Sequence, residues 1–283
     1  MILFSVRKLK AGLNRKVNIM SYENYENMDL KGSVLRIEKS SIFDGDGLRT
    51  VVFMKGCPLR CQWCSTPESH HKRIQTTMDG SITYGHIMTV EEVMVEVRKD
   101  IPFYFHSGGG MTVSGGEILT QSKFVYNLVR RACWEGINTC IETSFYGDWN
   151  EIEPILRCTN TAFVDLKLMD PEKHKKYIGV SNDVILSNIR KVGSKKMDNM
   201  KLIIRRPLIP GVNDSKKDLE LLGRFLAELP GVDHLQLLPY HRLGIDTYRK
   251  LGLTYKLPDI ETPSKEYMEQ CAHITNKYVR TII

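Results

Sequence analysis

The sequence predicts one α/β domain that forms an open or partial barrel of six strand-plus-helix units. From about Thr50 onward, short runs rich in β-branched residues alternate with amphipathic segments, which is the pattern of βα units around a parallel sheet. No long linker divides the 283 residues, so a single domain is expected. Because six units are fewer than the eight of a closed barrel, we expect a sheet that curves without closing.

The predicted strands are short apolar runs, and each is followed by sequence of helical character. In chain order they cover residues 50–54, 111–113, 138–141, 162–164, 202–204 and 235–238. Thr89 and Glu92 have the spacing of a capping box and therefore begin a helix. Apolar stripes at helical spacing indicate further helices at residues 124–132, 219–229 and 267–278.

Composition and charge argue against several classes of protein. Apolar residues make up 42% and charged residues 26% of the chain, which is typical of globular proteins rather than disordered, collagen-like or coiled-coil chains. We predict no membrane contact, because no uncharged apolar run reaches about 18 residues and lysines and arginines interrupt the N-terminal stretch. The net charge of +7 is spread in short pairs, so no nucleic-acid partner is expected. The predicted location is the cytoplasm.

The start of the chain differs from the rest. Residues 1–32 are polar and show no sustained periodicity, so they are predicted to be a flexible N-terminal extension. Residues 33–283 are predicted to form the folded domain.

Polar, chelating and glycine residues follow the predicted strands at the points where the strands end. In a barrel of this type, the loops at the carboxyl ends of the strands build the active site. We therefore expect these residues to meet at one edge of the sheet. They are Lys55, Gly56, Cys57, residues 114–117, Glu142, Thr143, Asp165, Lys167, Arg205, Arg206, Tyr240 and His241.

Three of the seven cysteines lie close together in the chain. Cys57, Cys61 and Cys64 have the spacing C-x3-C-x2-C on a loop that directly follows a strand. Three thiolates on a short loop can hold an iron–sulfur cubane, and one iron of a four-iron cluster then stays open to an external chelator. A zinc site that recruits His70 or His71 as its fourth ligand is the alternative.

The other four cysteines are scattered, and the odd total argues against a disulfide framework. Cys140 lies in a strand run, whereas Cys133 and Cys271 fall on apolar helix stripes. We predict that these three and Cys158 are buried packing residues.

The cysteine loop, with Trp63 before its last cysteine, resembles that of the radical S-adenosylmethionine (SAM) superfamily. Further motifs occur in order between about Ile37 and His241 and resemble more narrowly the activating enzymes of glycyl radical enzymes, such as pyruvate formate-lyase activase. They lie at residues 44–50, 55–61, 107–110, 114–117, 165–167, 205–211 and 238–241. The resemblance implies the radical SAM fold, a partial (β/α)6 TIM-like barrel.

The resemblance also implies a [4Fe–4S] cluster on the three loop cysteines, with SAM chelating the open iron. Gly115, Gly116 and Glu117 would receive the methionyl amino group of SAM, since glycines let the backbone approach a ligand closely. The other implied SAM contacts are Trp63 and Ser65 beside the adenine, Asp165 and Lys167 beside the ribose and carboxylate, and His241 near the adenine.

Two further residues have competing interpretations. Arg205 either pairs with the SAM carboxylate, a geometry suited to a guanidinium, or forms a structural ion pair. Glu142 and Thr143, together with Asp165, resemble a position where the family can hold a monovalent cation. Pyruvate formate-lyase activase, however, has Asp where this chain has Glu142.

The activity implied by the resemblance is hydrogen abstraction from a partner protein. One electron, from a donor of the flavodoxin or ferredoxin type, cleaves SAM to a 5′-deoxyadenosyl radical, which takes hydrogen from a backbone glycine of a glycyl radical enzyme. The partner's loop would enter the open barrel, where Asp44 and Asp46 are candidates for contacting it. Residues 70–116 contain no cysteine, so no ferredoxin-like insert with auxiliary clusters is expected.

Two other functions are consistent with the same cysteine loop. A radical SAM enzyme that acts on a small molecule or an RNA would share the triplet, and so would a non-catalytic zinc or iron–sulfur binding module. The sequence does not identify which glycyl radical enzyme would be the partner.

Overall fold

The structure, a computed structural model, describes residues 27–195 and 197–283. Residues 1–26 of the predicted extension, which covers residues 1–32, therefore lie outside the described residues. Strand β1 (Lys31–Ser41) begins within the last residues of that predicted extension. In the part of the chain that the structure describes, no helix is long and apolar enough to cross a membrane.

Strands and helices alternate along the chain, with a hairpin and an extra helix before the second parallel strand. After β1, the first elements are β2 (Arg49–Met54), β3 (Gln75–Thr76), β4 (Thr83–Tyr84), β5 (His86–Thr89), α1 (Val90–Arg98), α2 (Ile101–Ser107), β6 (Gly110–Gly115), α3 (Ser122–Trp134), β7 (Asn138–Thr143) and α4 (Trp149–Leu156). The remaining elements are β8 (Thr161–Asp165), α5 (Pro171–Ile178), α6 (Asp183–Gly193), β9 (Lys201–Leu208), α7 (Lys216–Ala227), β10 (His234–Pro239), α8 (Ile245–Lys250), α9 (Lys265–Thr275) and β11 (Thr281–Ile282).

Within the described residues, the main sheet has nine strands in the order β11-β10-β9-β8-β7-β6-β2-β1-β5. Strands β2 and β6 to β11 are parallel, whereas β1 pairs antiparallel with both β2 and β5. The six predicted strands are β2, β6, β7, β8, β9 and β10, and all six are confirmed. Strands β5 and β11 form the two edges of this sheet and do not pair with each other, so the barrel is open rather than closed.

The predicted helices are also confirmed, with small differences at their ends. Thr89 Oγ1 accepts a hydrogen bond from the Glu92 N–H at 3.1 Å, and Glu92 Oε2 accepts one from the Thr89 N–H at 2.7 Å. These reciprocal bonds form the predicted capping box of α1. The three apolar stripes correspond to α3, α7 and α9.

Alternate residues of the parallel strands point to opposite faces of the sheet. One face packs against the helices and contributes residues such as Val113, Ile141, Val164 and Ile204 to the large core. The opposite face lines the interior of the barrel, where Cys140, Phe163 and Ile203 form a smaller cluster. One face of the sheet therefore packs the core of the fold, whereas the other face carries polar groups toward the cavity.

The prediction that all four scattered cysteines are buried is only partly correct. Cys140 and Cys271 are buried, but Cys133 is exposed and Cys158 is half-buried. Cys133 directly follows Ala132, the last buried residue of α3. One further residue rotates a side chain by about 100° around a helix, which takes Cys133 off the buried stripe.

Residues 42–48 connect β1 to β2 and cross the amino-terminal end of the barrel. Thr112 Oγ1 on β6 donates to the Asp44 carbonyl at 2.7 Å. On the far side, Lys201 Nζ of β9 contacts Asp46 Oδ2 at 2.6 Å. This loop therefore spans from β6 to β9 and leaves the carboxyl end of the strands as the open end.

Candidate active site

A cavity of about 430 Å³ lies at the carboxyl end of the parallel strands, where barrels of this class place their active sites. It is bordered by the loop after β2 and by the ends of the strands from β6 to β10. Of the residues predicted to bind the cluster and SAM, all except Arg205 line this one cavity. They are Cys57, Cys61, Trp63, Cys64, Ser65, Gly115, Gly116, Glu117, Asp165, Lys167 and His241.

The loop that carries the three cysteines is closed at its base by backbone hydrogen bonds. The Gly56 N–H donates to Ser69 O at 2.7 Å, and the Cys57 N–H donates to His70 O at 3.1 Å. Gly56 has a φ of +98°, and an added Cβ would lie 2.8 Å from Thr120 Oγ1. Glycine meets both demands without strain, so the chain can leave β2 and turn directly into the cavity.

The middle of the same loop is attached to helix α5. The Arg60 N–H donates to Ile178 O at 2.7 Å, and the Gln62 N–H donates to Tyr177 O at 3.0 Å. The apolar side of the loop packs into a buried cluster of Leu59, Cys61, Trp63, Leu168, Ile178, Ile209, Val212 and Tyr240. Backbone bonding and burial therefore position the thiols through the protein's own packing.

The three loop thiols lie in surroundings of low polarity. Burial raises the pKa of Cys57 to about 12, and it also raises the pKa values of Cys61 and Cys64 above the usual thiol value. At each of the three, the positive charge of Lys167 acts in the opposite direction and favours the thiolate. Because the metal-binding form is the thiolate, cations at the site have to stabilise it.

Lys167 is the buried cation of this cavity, and Asp165 is its partner. Lys167 Nζ lies 2.5 Å from Asp165 Oδ2, with side chains 13% and 37% exposed. Burial by itself lowers the pKa of Lys167, but Asp165, Cys61 and Cys57 together raise it above its usual value. The ammonium therefore stays charged, and the pair presents one positive and one negative group to the cavity.

Two glycines let the end of β6 lie directly against the start of the cysteine loop. Gly115 has a φ of +115°, and a Cβ there would lie 2.4 Å from the Met54 backbone nitrogen. A Cβ on Gly116 would lie 2.3 Å from Gly56 O. The predicted glycine motif is therefore required by the close approach of β2 and β6, and it exposes backbone groups to the cavity.

Glu117 follows these glycines, and its carboxylate is satisfied within the protein. It accepts hydrogen bonds from Thr143 Oγ1 at 2.6 Å, from the Ser144 N–H at 2.8 Å and from the Leu119 N–H at 3.2 Å. Glu117 thereby joins the end of β6 to the end of β7. The sequence placed Glu117 at the site but did not identify this structural role or its partners.

Trp63, Ser65 and His241 also line the cavity. A Cβ on Gly244 would lie 2.8 Å from Ser65 O, which shows that the segment after β10 contacts the cysteine loop. The Trp63 ring lies 6.4 Å from the Tyr177 ring, and its buried Nε1 has no hydrogen-bond partner among the described residues. Burial lowers the pKa of His241, so its imidazole is neutral near pH 7.

Arg205 lies inside the barrel but does not line the cavity. Its guanidinium pairs with the Glu142 carboxylate, donates to Gln236 Oε1 at 2.9 Å and donates to Phe43 O at 3.2 Å. Its central carbon also lies 3.4 Å from the centre of the Phe163 ring. The structure thus shows the ion pair that the sequence left as the alternative, and a contact between Arg205 and SAM stays a prediction.

A buried polar network beneath the cysteine loop was not assigned from sequence. Lys55 is fully buried, and its ammonium donates to the Glu68 carbonyl and, at 3.5 Å, to Gln75 Oε1. Gln121 Nε2 donates to the carbonyls of Lys55 at 2.8 Å and Ser33 at 2.9 Å. Burial lowers the pKa of Lys55 to about 8. Its position at a strand end was the one available signal, but its partners come from distant parts of the chain.

The donor set fits an iron–sulfur cubane. Three thiols from one short loop line the cavity, and a Cβ on the adjoining glycines would collide with the backbone. Within residues 27–195 and 197–283, no three His, Cys, Asp or Glu side chains converge on one point as a single metal ion requires. A cubane distributes its thiolate ligands over separate iron atoms, so each thiol of the loop can bind a different iron. Neither His70 nor His71 lines the cavity.

Comparison with known proteins agrees with this geometry. Residues 51–222 match the family described as the radical SAM superfamily. The chain is 38% identical, over an alignment 296 positions long, to the (2S)-3-sulfopropanediol dehydratase activating enzyme of Klebsiella oxytoca, covering 86% of this chain and 92% of that enzyme. It is 34% identical over 255 residues to the pyruvate formate-lyase-activating enzyme of Clostridium pasteurianum, covering 89% and 98%.

A solved structure shows the same relationship. The crystal structure of a domain of pyruvate-formate lyase-activating enzyme from Bacteroides vulgatus ATCC 8482 is 32% identical, with a TM-score of 0.52, covering 62% of this chain and 99% of that one. The cysteine loop, the strand-end cavity and these likenesses point to the same assignment. The chain belongs to the radical SAM superfamily and, within it, to the activating enzymes of glycyl radical enzymes.

Proposed function

We propose that this chain binds a [4Fe–4S] cluster and SAM in the strand-end cavity and removes a hydrogen atom from a backbone glycine of a glycyl radical enzyme. This proposal rests on one observation: the three loop thiols and the glycines at the end of β6 line the same cavity. When bound, the cluster and SAM supply the one-electron chemistry. The residues of this chain bind them, orient them and limit the access of water.

Cys57, Cys61 and Cys64 would hold the cluster, and the charged groups nearby would hold the amino acid part of SAM. The backbone at Gly115 and Gly116 is exposed to the cavity because neither residue has a Cβ. Lys167 and Asp165 offer opposite charges on one side, which suits the carboxylate and the polar ribose. Glu117 contributes through the backbone position that its own buried carboxylate fixes.

The adenine of SAM would lie beside Trp63, Ser65 and His241. These three residues line the cavity, and the aromatic ring of Trp63 is held by the packing of the loop. A neutral His241 can accept or donate a hydrogen bond to a purine edge without bringing a second positive charge near the sulfonium.

A monovalent cation near Glu142 and Asp165 is a separate proposal. It is supported by two carboxylates at the ends of the neighbouring strands β7 and β8. The Glu142 carboxylate is already bound by Arg205 and, at 2.6 Å, by Ser114 Oγ, so a cation there would share these oxygens. Equal rates of SAM cleavage in potassium, sodium and tetramethylammonium buffers would contradict this site.

The partner's glycine loop would enter through the open side of the barrel, with an electron donor of the flavodoxin or ferredoxin type serving the cluster. Asp44 and Asp46, which the structure places on the segment across the amino-terminal end of the barrel, stay candidates for contacts with that loop. Asp46 is 72% exposed in its side chain although it pairs with Lys201, so it is accessible from outside. The cytoplasmic location stays a prediction.

The test is anaerobic reconstitution of the full chain with iron and sulfide. We expect four irons and four sulfides per chain, and we expect dithionite reduction to convert SAM to methionine and 5′-deoxyadenosine. A single bound zinc would instead support the binding module. Incubation with glycyl radical enzymes encoded near this chain should produce a glycyl radical signal by electron paramagnetic resonance. SAM cleavage with no radical in any of them would favour a small-molecule or RNA substrate.

A further inference from the structure

Exposed cations lie around the loop that carries the three cluster cysteines. They come from three segments, which are the loop itself, the stretch that leaves it and the last turn of helix α5. Over residues 57–73 and 171–179, all of which the structure describes, Glu172 is the one exposed acid that accompanies them. We call these cations the basic face, and its members are Arg60, Lys72, Arg73, Lys175 and Lys176.

Hydrogen bonds join the three segments of the basic face through the cysteine loop. The Arg60 guanidinium donates to the Cys57 carbonyl, and the Cys57 N–H donates to His70 O at 3.1 Å, just before the stretch with the next two cations. Elsewhere in the loop, Gln62 Nε2 donates to Lys176 O at 3.0 Å. These bonds place the cations of all three segments next to the loop that carries the cluster ligands.

Most of this positive charge is not neutralised by the protein. Lys175 Nζ lies 3.2 Å from Glu172 Oε1, and both side chains are exposed, so water screens that pair. The other four members of the basic face form no salt bridge with any described residue. The charges of two segments also act on a common neighbour, since burial, followed by the charges of Arg73 and Arg60, lowers the pKa of His71. The basic face therefore presents a concentrated positive charge to solvent.

We propose that the basic face is the docking surface for a negatively charged one-electron carrier protein, of the flavodoxin or ferredoxin type, that reduces the cluster. This inference rests on the proposed function, because it requires a cluster on the three loop cysteines. The carrier loses one electron and the cluster gains one, and no bond is formed or broken. Opposite charges on two proteins speed their encounter, which suits the small and short-lived interfaces of electron transfer.

The position of the basic face favours an electron carrier over the glycyl radical enzyme. None of its five described side chains lines the cavity, where the glycine has to meet SAM. Arg60 is instead bonded to the backbone of Cys57, a cluster ligand that is itself only half-buried. A carrier docked on the basic face would reach the cluster through the loop and would leave the cavity to SAM and the glycine.

The experiment compares two triple variants of the cluster-loaded full chain with the unmodified chain. The first variant reverses three charges of the basic face and keeps Arg60, which bonds the loop: Lys72→Glu, Arg73→Glu and Lys176→Glu. The matched control reverses three exposed cations near the amino-terminal ends of β9 and β10: Lys195→Glu, Lys277→Glu and Arg280→Glu. Each variant replaces two lysines and one arginine, so both change the net charge by the same amount.

The probe is a flavodoxin of net negative charge. Isothermal titration calorimetry measures its affinity, and stopped-flow absorbance measures the rate at which its reduced form reduces the cluster. We expect both to fall about tenfold in the first variant and to stay unchanged in the control. In the unmodified chain, both should also fall at about 1 M salt, where the Debye length is about 3 Å. Unchanged values in the first variant, or equal losses in both variants, would overturn the proposal.

SAM cleavage driven by dithionite separates this proposal from the proposed function. Dithionite is a small reductant that needs no docking surface, so all three proteins should cleave SAM at the same rate. If none of them cleaves SAM, the proposed function fails, whereas the flavodoxin affinities still test the basic face. Loss of dithionite-driven cleavage in the first variant alone would show that these charges support the cluster itself, and it would overturn the docking role.

A glycyl radical assay tests the competing partner. With dithionite as the reductant, the first variant should activate a glycyl radical enzyme as well as the unmodified chain does. A variant that binds flavodoxin normally but activates the enzyme poorly would assign the basic face to the glycyl radical enzyme and overturn the proposal.

Discussion

At the scale of single residues, Cys61 is the most deeply buried of the three loop cysteines. A Cys61→Ser substitution replaces one thiolate ligand by a hydroxyl of similar size, so it should abolish cluster retention and SAM cleavage without unfolding the barrel. Iron analysis, a SAM cleavage assay and circular dichroism check these outcomes together. Full SAM cleavage by the variant would show that the ligands are misassigned.

His70 predicts a pH dependence of stability. Burial, reinforced by the positive charges of Arg60 and His71, lowers the pKa of His70 from 6.5 to about 4. Between these values the unfolded chain binds a proton that the folded chain does not, so stability falls as the pH drops through this window. At pH values below this window, the loss in the free energy of unfolding reaches about 3 kcal/mol.

Urea unfolding of the metal-free protein at several pH values measures this effect. A His70→Gln variant should lose less stability than the unmodified chain between pH 6.5 and 4, since it has no imidazole to protonate. The neighbouring His71 is exposed and acts on His70 only as a secondary charge, so His71→Gln is the comparison and should reduce the slope less than His70→Gln does. Identical slopes in all three proteins would contradict the role of His70.

The residues at the strand ends show why the site was largely predictable. The rule that loops at carboxyl strand ends form the active site places Gly115, Asp165, Lys167 and His241 together, and the structure brings them to one cavity. Arg205 is the exception. It lies inside β9 rather than at its end, and its pairing with Glu142 depends on a contact between strands far apart in sequence.

At the scale of elements, the capping box of α1 gives a measurable contribution. Thr89→Ala removes the acceptor for the Glu92 N–H and should lower the free energy of unfolding by about 1 kcal/mol. Thr89→Ser keeps a hydroxyl at the same position and should restore most of this stability. Chemical denaturation of the three proteins checks the prediction, and equal losses in both variants would argue against capping as the cause.

Most of the strands that sequence reasoning missed are very short, although it also missed the eleven-residue β1. Strands β3, β4 and β11 have two residues each, and β5 has four. Such segments carry too few residues for an alternating pattern to stand out. They become strands because a partner is present, as β11 does by pairing Thr281 with Leu235 of β10. Long-range pairing of this kind leaves little local signal.

At the scale of the whole molecule, ligand binding and folding stability are linked. Whatever binds only the folded state stabilises it, and SAM at a hundredfold its dissociation constant adds about 2.7 kcal/mol. The cluster-loaded chain should therefore unfold at a higher temperature when SAM is present. The Cys61→Ser variant should show a much smaller shift, and an equal shift would mean that SAM binds without the cluster.

The open barrel as a whole was predicted from the count of βα units, but the closure of its amino-terminal end was not. Residues 42–48 have no periodic pattern, and they cross from β6 to β9 through contacts made by Asp44 and Asp46. A turn between two strands is visible in sequence, whereas the direction it takes over the barrel depends on partners more than 60 positions away.

The attachment of the cysteine loop to helix α5 has a consequence for how the enzyme matures. The loop is translated early, but Arg60 and Gln62 receive their hydrogen-bond partners only when residues 177 and 178 have been synthesised. A nascent chain that has not yet reached α5 lacks the support that holds the three thiols in position. We therefore expect iron and sulfide to be delivered only after residue 178 has been synthesised, to a chain whose fourth parallel strand and its helix are already in place.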